Sequence, residues 1–306
     1  MMEANQDEKF DQVARKLDPQ GRLLRAWELQ GGVSAQVTAL EVERADGRMT
    51  KLIVRQHGAV DLEQHPDVAV DEFTLLQLLH AEGMPTPKPY LLDQSGEIFA
   101  TPYIVIEYVE GETEFAPANI SDLLSQLATH LSRIHRIDDS TPAVSVLPRQ
   151  ERRFAGILRE RPALDAAGDE ARIRDALEAV WPPPQRNRSV LLHGDYWPGN
   201  VLWKDGKLVA IIDWEDAAVG DPLADVGNCR LEILWAFGVE AMQSFTQQYQ
   251  ATTDIEFTNL PYWDLCAALR LISGIGEWVA DEPTERAMRE RLHWFIAQAL
   301  DRLSLP

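Results

Sequence analysis

The segment from Val190 to Trp214 constrains the fold more than any other part of the chain. It opens on an apolar run, Val190-Leu191-Leu192, breaks at His193-Gly194, and continues as Asp195-Tyr196-Trp197-Pro198-Gly199-Asn200. Val201-Leu202-Trp203 and Leu208 to Ile212 then flank Asp205-Gly206, the pattern of a two-stranded hairpin with a tight turn. Asp213 follows directly on Val209-Ala210-Ile211-Ile212. A charge at the end of such a strand is costly unless something pairs it. The hairpin returns the chain to its starting end, so Asn200 before it and Asp213 after it can serve one ion.

The pattern on either side differs. Asp7 to Leu17 predicts an amphipathic helix, and Leu24 to Leu29, Ala35 to Glu43 and Lys51 to Arg55 predict strands, with a turn at Asp46-Gly47. Val68 to Ala81 has the apolar spacing of a helix with one buried face, stopped by Gly83. Pro85, Pro87 and Pro89 are expected to exclude regular structure, and two strand stretches are expected around Pro102 between Phe99 and Val109. Beyond Gly111 the periodicity becomes helical. Ser121 to Ile137 (Ser121 as N-cap), Ala171 to Trp181, Leu223 to Phe237, Val239 to Gln250, Tyr262 to Val279 and Thr284 to Leu303 are the predicted helices. The reading is an α+β chain of two lobes. Residues 1–108 form a small antiparallel-sheet lobe with one helix packed on it, and residues 109–306 a larger, mainly helical lobe broken by one hairpin.

Composition narrows the partners. With 29 basic against 49 acidic residues the net charge is -20, which argues against a nucleic-acid or anionic-membrane surface. No apolar run reaches the roughly 18 residues needed to span a bilayer, and Met1 to Phe10 is too polar for a secretion signal, so a cytoplasmic location is expected. The two cysteines, Cys229 and Cys266, read as buried free thiols. Oligomeric state leaves no trace in the sequence.

The chemistry rests on residue types. Asp195 is a carboxylate at the rim of a packed strand, suited to orienting the proton of an attacking hydroxyl. Asn200 and Asp213 offer hard oxygen donors, which suit magnesium, an ion that keeps several water and phosphate ligands. In this order the three are what phosphoryl transfer from a magnesium nucleotide requires. HGDYWPGNVLW followed by IIDWEDAAVGDPLAD resembles the aminoglycoside phosphotransferase and choline kinase-like family, small-molecule relatives of protein kinases. The resemblance covers nearly the whole chain and is tightest from Leu191 to Asp225. It implies a bilobal protein-kinase-like fold, Asp195 as catalytic base, Asn200 and Asp213 as ligands of Mg2+, and ATP or GTP as co-substrate. The partners are then a nucleoside triphosphate and a small-molecule acceptor. It further implies that Gly31, Gly32 and Ser34 cover the phosphates and that the backbone of Glu107 and Val109 meets the base.

One departure stands out. The strand position that carries a phosphate-binding lysine in such folds holds Arg55, with Glu72 as its expected partner and Asp71 and Glu63 as poorer ones. Arginine can still fork onto phosphate and carboxylate oxygens. Gly194 replaces the arginine through which many protein kinases read a phosphorylated activation loop, so activity is expected to be constitutive. Asp225 is expected to brace the loop backbone. For the acceptor, Trp197, Glu215, Glu277 and Trp278 are the candidates, with Tyr196, Asp216, Trp235 and Asp281 behind them. Acid with tryptophan suits an ammonium-bearing aminosugar or amino alcohol, and a macrolide would suit the tryptophans alone. A nucleotide-binding pseudokinase is the alternative that Arg55 keeps open.

Overall fold

The computed structural model describes residues 6–29, 35–159, 169–272, 274–278 and 281–303. The chain divides into two units, one of Met1–Gly111 with Val209–Glu215, the other of Glu112–Leu208 with Asp216–Pro306. The Asp213 segment therefore returns to the first unit.

In the first unit β1 (Arg22–Glu28), β2 (Ala35–Glu43), β3 (Met49–His57), β4 (Pro89–Asp93) and β5 (Tyr103–Glu107) form an antiparallel sheet in the order β1-β2-β3-β5-β4. The β2–β3 pairing runs from Ala35↔His57 to Glu43↔Met49, and Gly47 takes φ 80° in the turn. β4 corrects the expectation that Pro85, Pro87 and Pro89 exclude regular structure. It is an edge strand with Pro89 as its first residue, where a missing N–H costs no ladder bond. Around Pro102 only Tyr103–Glu107 is a strand, while Ile98 and Phe99 are buried as irregular chain.

Helix α1 (Gln6–Leu17) packs its buried face, Phe10, Val13 and Ala14, into a core with Leu40, Val42, Leu52, Val54, Phe99, Tyr103 and Val105. Lys16 Nζ donates to Asp93 Oδ2 at 2.6 Å, tying α1 to the sheet edge. A short α2 (Ala59–Gln64) precedes α3 (Val68–Ala81), which buries Leu75, Leu76, Leu79 and, unusually for a glutamate, Glu72.

The second unit begins with α4 (Ile120–Ile134). Its N-cap is Asn119, whose side chain accepts from Asp122 N, rather than Ser121. Then come α5 (Pro142–Ser145), α6 (Gln150–Arg159), α7 (Asp169–Glu178) and β6 (Val190–Leu192). β7 (Val201–Lys204) and β8 (Lys207–Ile211), whose last residues from Val209 on belong to the first unit, form the expected hairpin, with Asp205 at φ 52° and Gly206 at φ 72°, two consecutive left-handed residues as a type I′ turn demands. β9 (Ala218–Gly220) pairs antiparallel with β6.

Helices α8 (Leu223–Phe237), α9 (Val239–Ala251), α10 (Leu260–Leu271), α11 (Ile275–Trp278) and α12 (Glu282–Arg302) complete the unit. The single helix expected from Tyr262 to Val279 is two, α10 ending at Leu271 and α11 starting at Ile275, with Gly274, a poor helix former, just before the second. α8 and α10 are buried along most of their length, and Arg230 on the first forms a fork with Asp264 on the second at 2.9 and 3.0 Å. Both cysteines are free and buried. Among the described residues no helix is long and apolar enough to cross a membrane.

Candidate active site

Each unit carries part of the expected site. In the second, β6 ends at Leu192 and the chain turns through His193-Gly194 into the loop that presents Asp195. Asp225, on the first turn of α8, holds that turn. It is fully buried and accepts from His193 N at 2.7 Å and Gly194 N at 2.9 Å, with His135 Nε2 at 3.1 Å. Burial works against its charge, but the His135 hydrogen bond and the backbone donors hold its carboxyl below the usual range. His193 is wholly buried, its Nδ1 accepting from Asp195 N at 3.3 Å.

Gly194 is needed for its backbone. It takes φ 84°, and a Cβ built there would lie 2.0 Å from the carbonyl oxygen of Asp216. Gly194→Ala is therefore expected to destabilise the second unit by about 2–4 kcal/mol through left-handed strain plus overpacking. Denaturant unfolding measures the loss, and a variant as stable as the wild type contradicts this packing.

The Asp195 carboxylate has two kinds of donor. Asn200 Nδ2 gives to Asp195 Oδ2 at 3.0 Å and to its backbone carbonyl at 2.9 Å. With its NH₂ turned to Asp195, Asn200 has its amide oxygen left for another partner. From α10, Arg270 Nη2 gives to Asp195 Oδ1 at 2.7 Å and Nη1 to the Gly194 carbonyl at 3.0 Å. Nη2 also reaches Asn228 Oδ1 on α8. Sequence reading missed Arg270 and Asn228. The available signal was a charged residue ending the apolar stretch Leu265 to Leu269, which must find a partner when its helix is buried.

Glu232 lies one turn beyond Asn228 on α8, on the same face. Burial, with the negative charge of Asp195, pushes its carboxyl up to about 8, while Arg270 pulls the other way. The unfolded chain releases this proton near 4.5 and the folded chain keeps it, so rising pH removes stability between those values. Glu232→Gln, neutral throughout, is expected to match the wild type near pH ~4 and to exceed it by about 2–3 kcal/mol near pH ~9, after discounting for partial exposure. Urea unfolding at both pH values is the check, and equal stability at both would contradict this environment.

In the first unit Arg55 on β3 is the centre. Its Nε lies 3.3 Å from Glu72 Oε2 on α3, and Nη2 contacts Asp213 Oδ1 at 2.6 Å and the carboxylate of Glu215. Burial opposes the guanidinium charge, but Glu72, Asp213 and Glu215 together hold its proton more tightly than usual. Glu72 Oε2 is also within hydrogen-bond distance of His57 Nε2, at 2.7 Å. Asp71 pairs with His65 at 2.9 Å instead, and Glu63 is exposed. Asp213 sits at φ 67°, a left-handed conformation that aspartate tolerates better than most residues. Ile211 N donates to Pro85 O at 2.7 Å, fixing the strand that ends at Asp213 to this unit. Among the described residues no group of three or more Asp, Glu, His or Cys side chains is arranged to hold a metal ion by itself, so a magnesium ion here would take few protein oxygens and draw its other ligands from phosphate and water.

The sequence model of the phosphotransferase enzyme family matches residues 26–267, most of the chain. The chain belongs to the phosphotransferase enzyme family. Among relatives, acyl-CoA dehydrogenase family member 11 of Rattus norvegicus is 25% identical over 246 residues, 68% of this chain and 31% of that protein. The chain thus spans about a third of that relative's length. Homoserine kinase of Rhodospirillum rubrum is 26% identical over 236 residues, 68% of this chain and 69% of that one. Among solved structures, spectinomycin phosphotransferase in complex with ADP and spectinomycin is 17% identical with a TM-score of 0.65, over 97% of this chain and 98% of that chain. That likeness shows that the phosphotransferase fold expected from the sequence is the one present.

The remaining expected positions divide. Gly31, Gly32 and Ser34 lie outside the described residues, and of Glu277 and Trp278 on α11 the side chains do. Glu107 ends β5, its N–H donating to the Lys88 carbonyl at 2.8 Å, and Val109 follows it half-buried. Trp197 is half-buried with its ring 6.1 Å from Phe115, and a Cβ on Gly199 would lie 2.2 Å from it. The carboxylate of Glu215, expected at the acceptor, is engaged by Arg55. Tyr196 is fully buried with its hydroxyl on Leu127 O, Asp216 pairs with Arg153, Trp235 donates to Met288 O, and Asp281 caps α12. Each of these four has a partner within the chain.

Proposed function

We propose that this chain transfers the γ-phosphoryl group of a magnesium-bound nucleoside triphosphate, ATP or GTP, to a hydroxyl of a small molecule. The observation that carries the reading is the Asp195–Asn200 pair. The amide NH₂ of Asn200 fixes the carboxylate of Asp195, which leaves the amide oxygen for a cation. A carboxylate so held can accept the proton of an incoming hydroxyl, and a loose transition state asks chiefly for position and charge stabilisation.

Asn200 and Asp213 are the residues that would hold magnesium. When bound, the ion neutralises charge on the transferred phosphoryl oxygens. Arg55, braced by Glu72, is the cation aimed at the nucleotide phosphates, in the role a lysine fills in related folds. Its second fork nitrogen reaches Asp213 and Glu215, so the same guanidinium orders the segment that bears the metal ligand. Gly31, Gly32 and Ser34 are assigned to the phosphates, and the backbone of Glu107 and Val109 to the base.

On the acceptor side Trp197 is assigned as an aromatic face and, from the sequence alone, Glu277 and Trp278 as further contacts. This supports an aminosugar or amino alcohol, bound through charge and cation–π contact. The test is a panel of aminoglycosides, macrolides, choline, homoserine and simple sugars, read by magnesium-dependent release of nucleoside diphosphate. Release with one chemical class assigns the acceptor. Nucleotide binding with no turnover on any of them favours a sensor instead.

A further inference from the structure

We infer that Arg270 is a positioning residue for phosphoryl transfer, holding the carboxylate of Asp195 where an acceptor hydroxyl must meet it. The inference rests on the proposed role of Asp195. Asp195 needs such a hold: its side chain is 31% exposed and stands on a loop, so packing does not fix its rotamer. Its own loop provides one donor, Asn200 Nδ2 on Oδ2. The other oxygen is held from α10, by Arg270 Nη2 at 2.7 Å.

The guanidinium binds more than the carboxylate. Nη1 takes the Gly194 carbonyl at 3.0 Å, and Nη2 also reaches Asn228 on α8. One planar group thus joins the loop backbone, the Asp195 side chain and α8. Lysine, a single point charge, cannot reproduce that fork.

A purely architectural role is already filled elsewhere. α8 and α10 are tied together by Arg230 and Asp264, whose side chains are 3% and 2% exposed and meet through two hydrogen bonds. The Arg270–Asp195 pair lies nearer solvent, with side chains 24% and 31% exposed. Being half-buried rather than sealed in the core, this pair should contribute less to stability than Arg230–Asp264 does. Its distinctive effect is to set where one carboxylate points.

The experiment compares Arg270→Met, Arg270→Lys and Arg270→Ala with Arg230→Met as the architectural control. In a crystal structure of Arg270→Met, the Asp195 carboxylate is expected to leave its position or spread over rotamers. Magnesium–ATP turnover, with water as the acceptor until a better one is known, is expected to fall about 100-fold with KM for ATP within about 3-fold. Arg270→Lys should recover only part of this. Guanidinium ion added to Arg270→Ala should return about 10-fold, a rescue that a structural lesion does not show.

The melting temperature of Arg270→Met should stay within about 3 °C of the wild type, whereas Arg230→Met should lose roughly 8 °C or more. An Asp195 carboxylate unmoved in Arg270→Met overturns the inference, as does turnover within about 2-fold of the wild type. A change confined to KM for ATP also overturns it, since that places Arg270 at the nucleotide. Should Asp195→Asn turn over normally, the role of Asp195 fails instead, and the crystallographic readout still decides whether Arg270 positions it.

Discussion

Asp195→Asn is expected to lower phosphoryl transfer by about 100- to 10,000-fold while magnesium–nucleotide affinity stays within a few-fold. The substitution keeps the shape of the side chain and removes its charge. Asn200 and Arg270 both donate to the carboxylate oxygens, so the amide places an NH₂ against one of two donors. It cannot accept a proton from a hydroxyl, and it leaves the Arg270 guanidinium without its counter-charge. The measurement is steady-state turnover with the acceptor found in the panel, set beside calorimetry of magnesium–ADP. Unchanged turnover removes Asp195 from the reaction. Loss of nucleotide binding together with turnover moves it from the acceptor to the metal.

The second large effect concerns Asp213. Asp213→Asn is expected to abolish most of the magnesium dependence of nucleotide binding, a loss of about 100-fold in affinity when magnesium is present and little when it is absent. Asparagine is the better replacement here than alanine. The residue sits at φ 67°, which asparagine tolerates and alanine does not, so the charge is removed without backbone strain. Arg55 remains held by Glu72 and Glu215, so the nucleotide phosphates keep their cation. Calorimetry with ADP, with and without magnesium, separates the two contributions. Equal magnesium dependence in variant and wild type would exclude Asp213 as a ligand.

Much of the fold is written locally. The hairpin around Asp205-Gly206, the Gly47 turn and the apolar face of α3 follow from turn chemistry and periodicity, and the structure has them where those rules put them. The departures have equally local causes. Pro89 was read as a breaker because edge position, which makes it harmless, is a property of the finished sheet. The three residues of β9 are too few for an alternating pattern to register, and they form a strand because β6 is there to pair with. Apolar spacing continues from α10 into α11, so of the three residues between them only Gly274 hints at a break.

The candidate site was legible where its residues are close in sequence. Asp195, Asn200 and Asp213 stand within one short stretch, and Arg55 and Glu72 on a strand and the helix that follows. Arg270 and Asn228 reach the same loop from α10 and α8, which no local pattern reports. Arg230, Asp264 and Arg270 are all charges on buried helices, so each was bound to have a partner, but only the packing of α8 on α10 chooses which. Glu215 was placed with the acceptor for its proximity to Asp213, and Arg55 claims its carboxylate.

The central claim is that this chain moves a phosphoryl group from a magnesium nucleotide to a small molecule. The direct measurement supplies γ-labelled ATP or GTP and a protein-free pool of small metabolites to the wild-type chain, with magnesium present or removed by a chelator. The account predicts label on a small-molecule product only when magnesium is present. Label transferred equally well without the metal, or found on the protein alone, would contradict it.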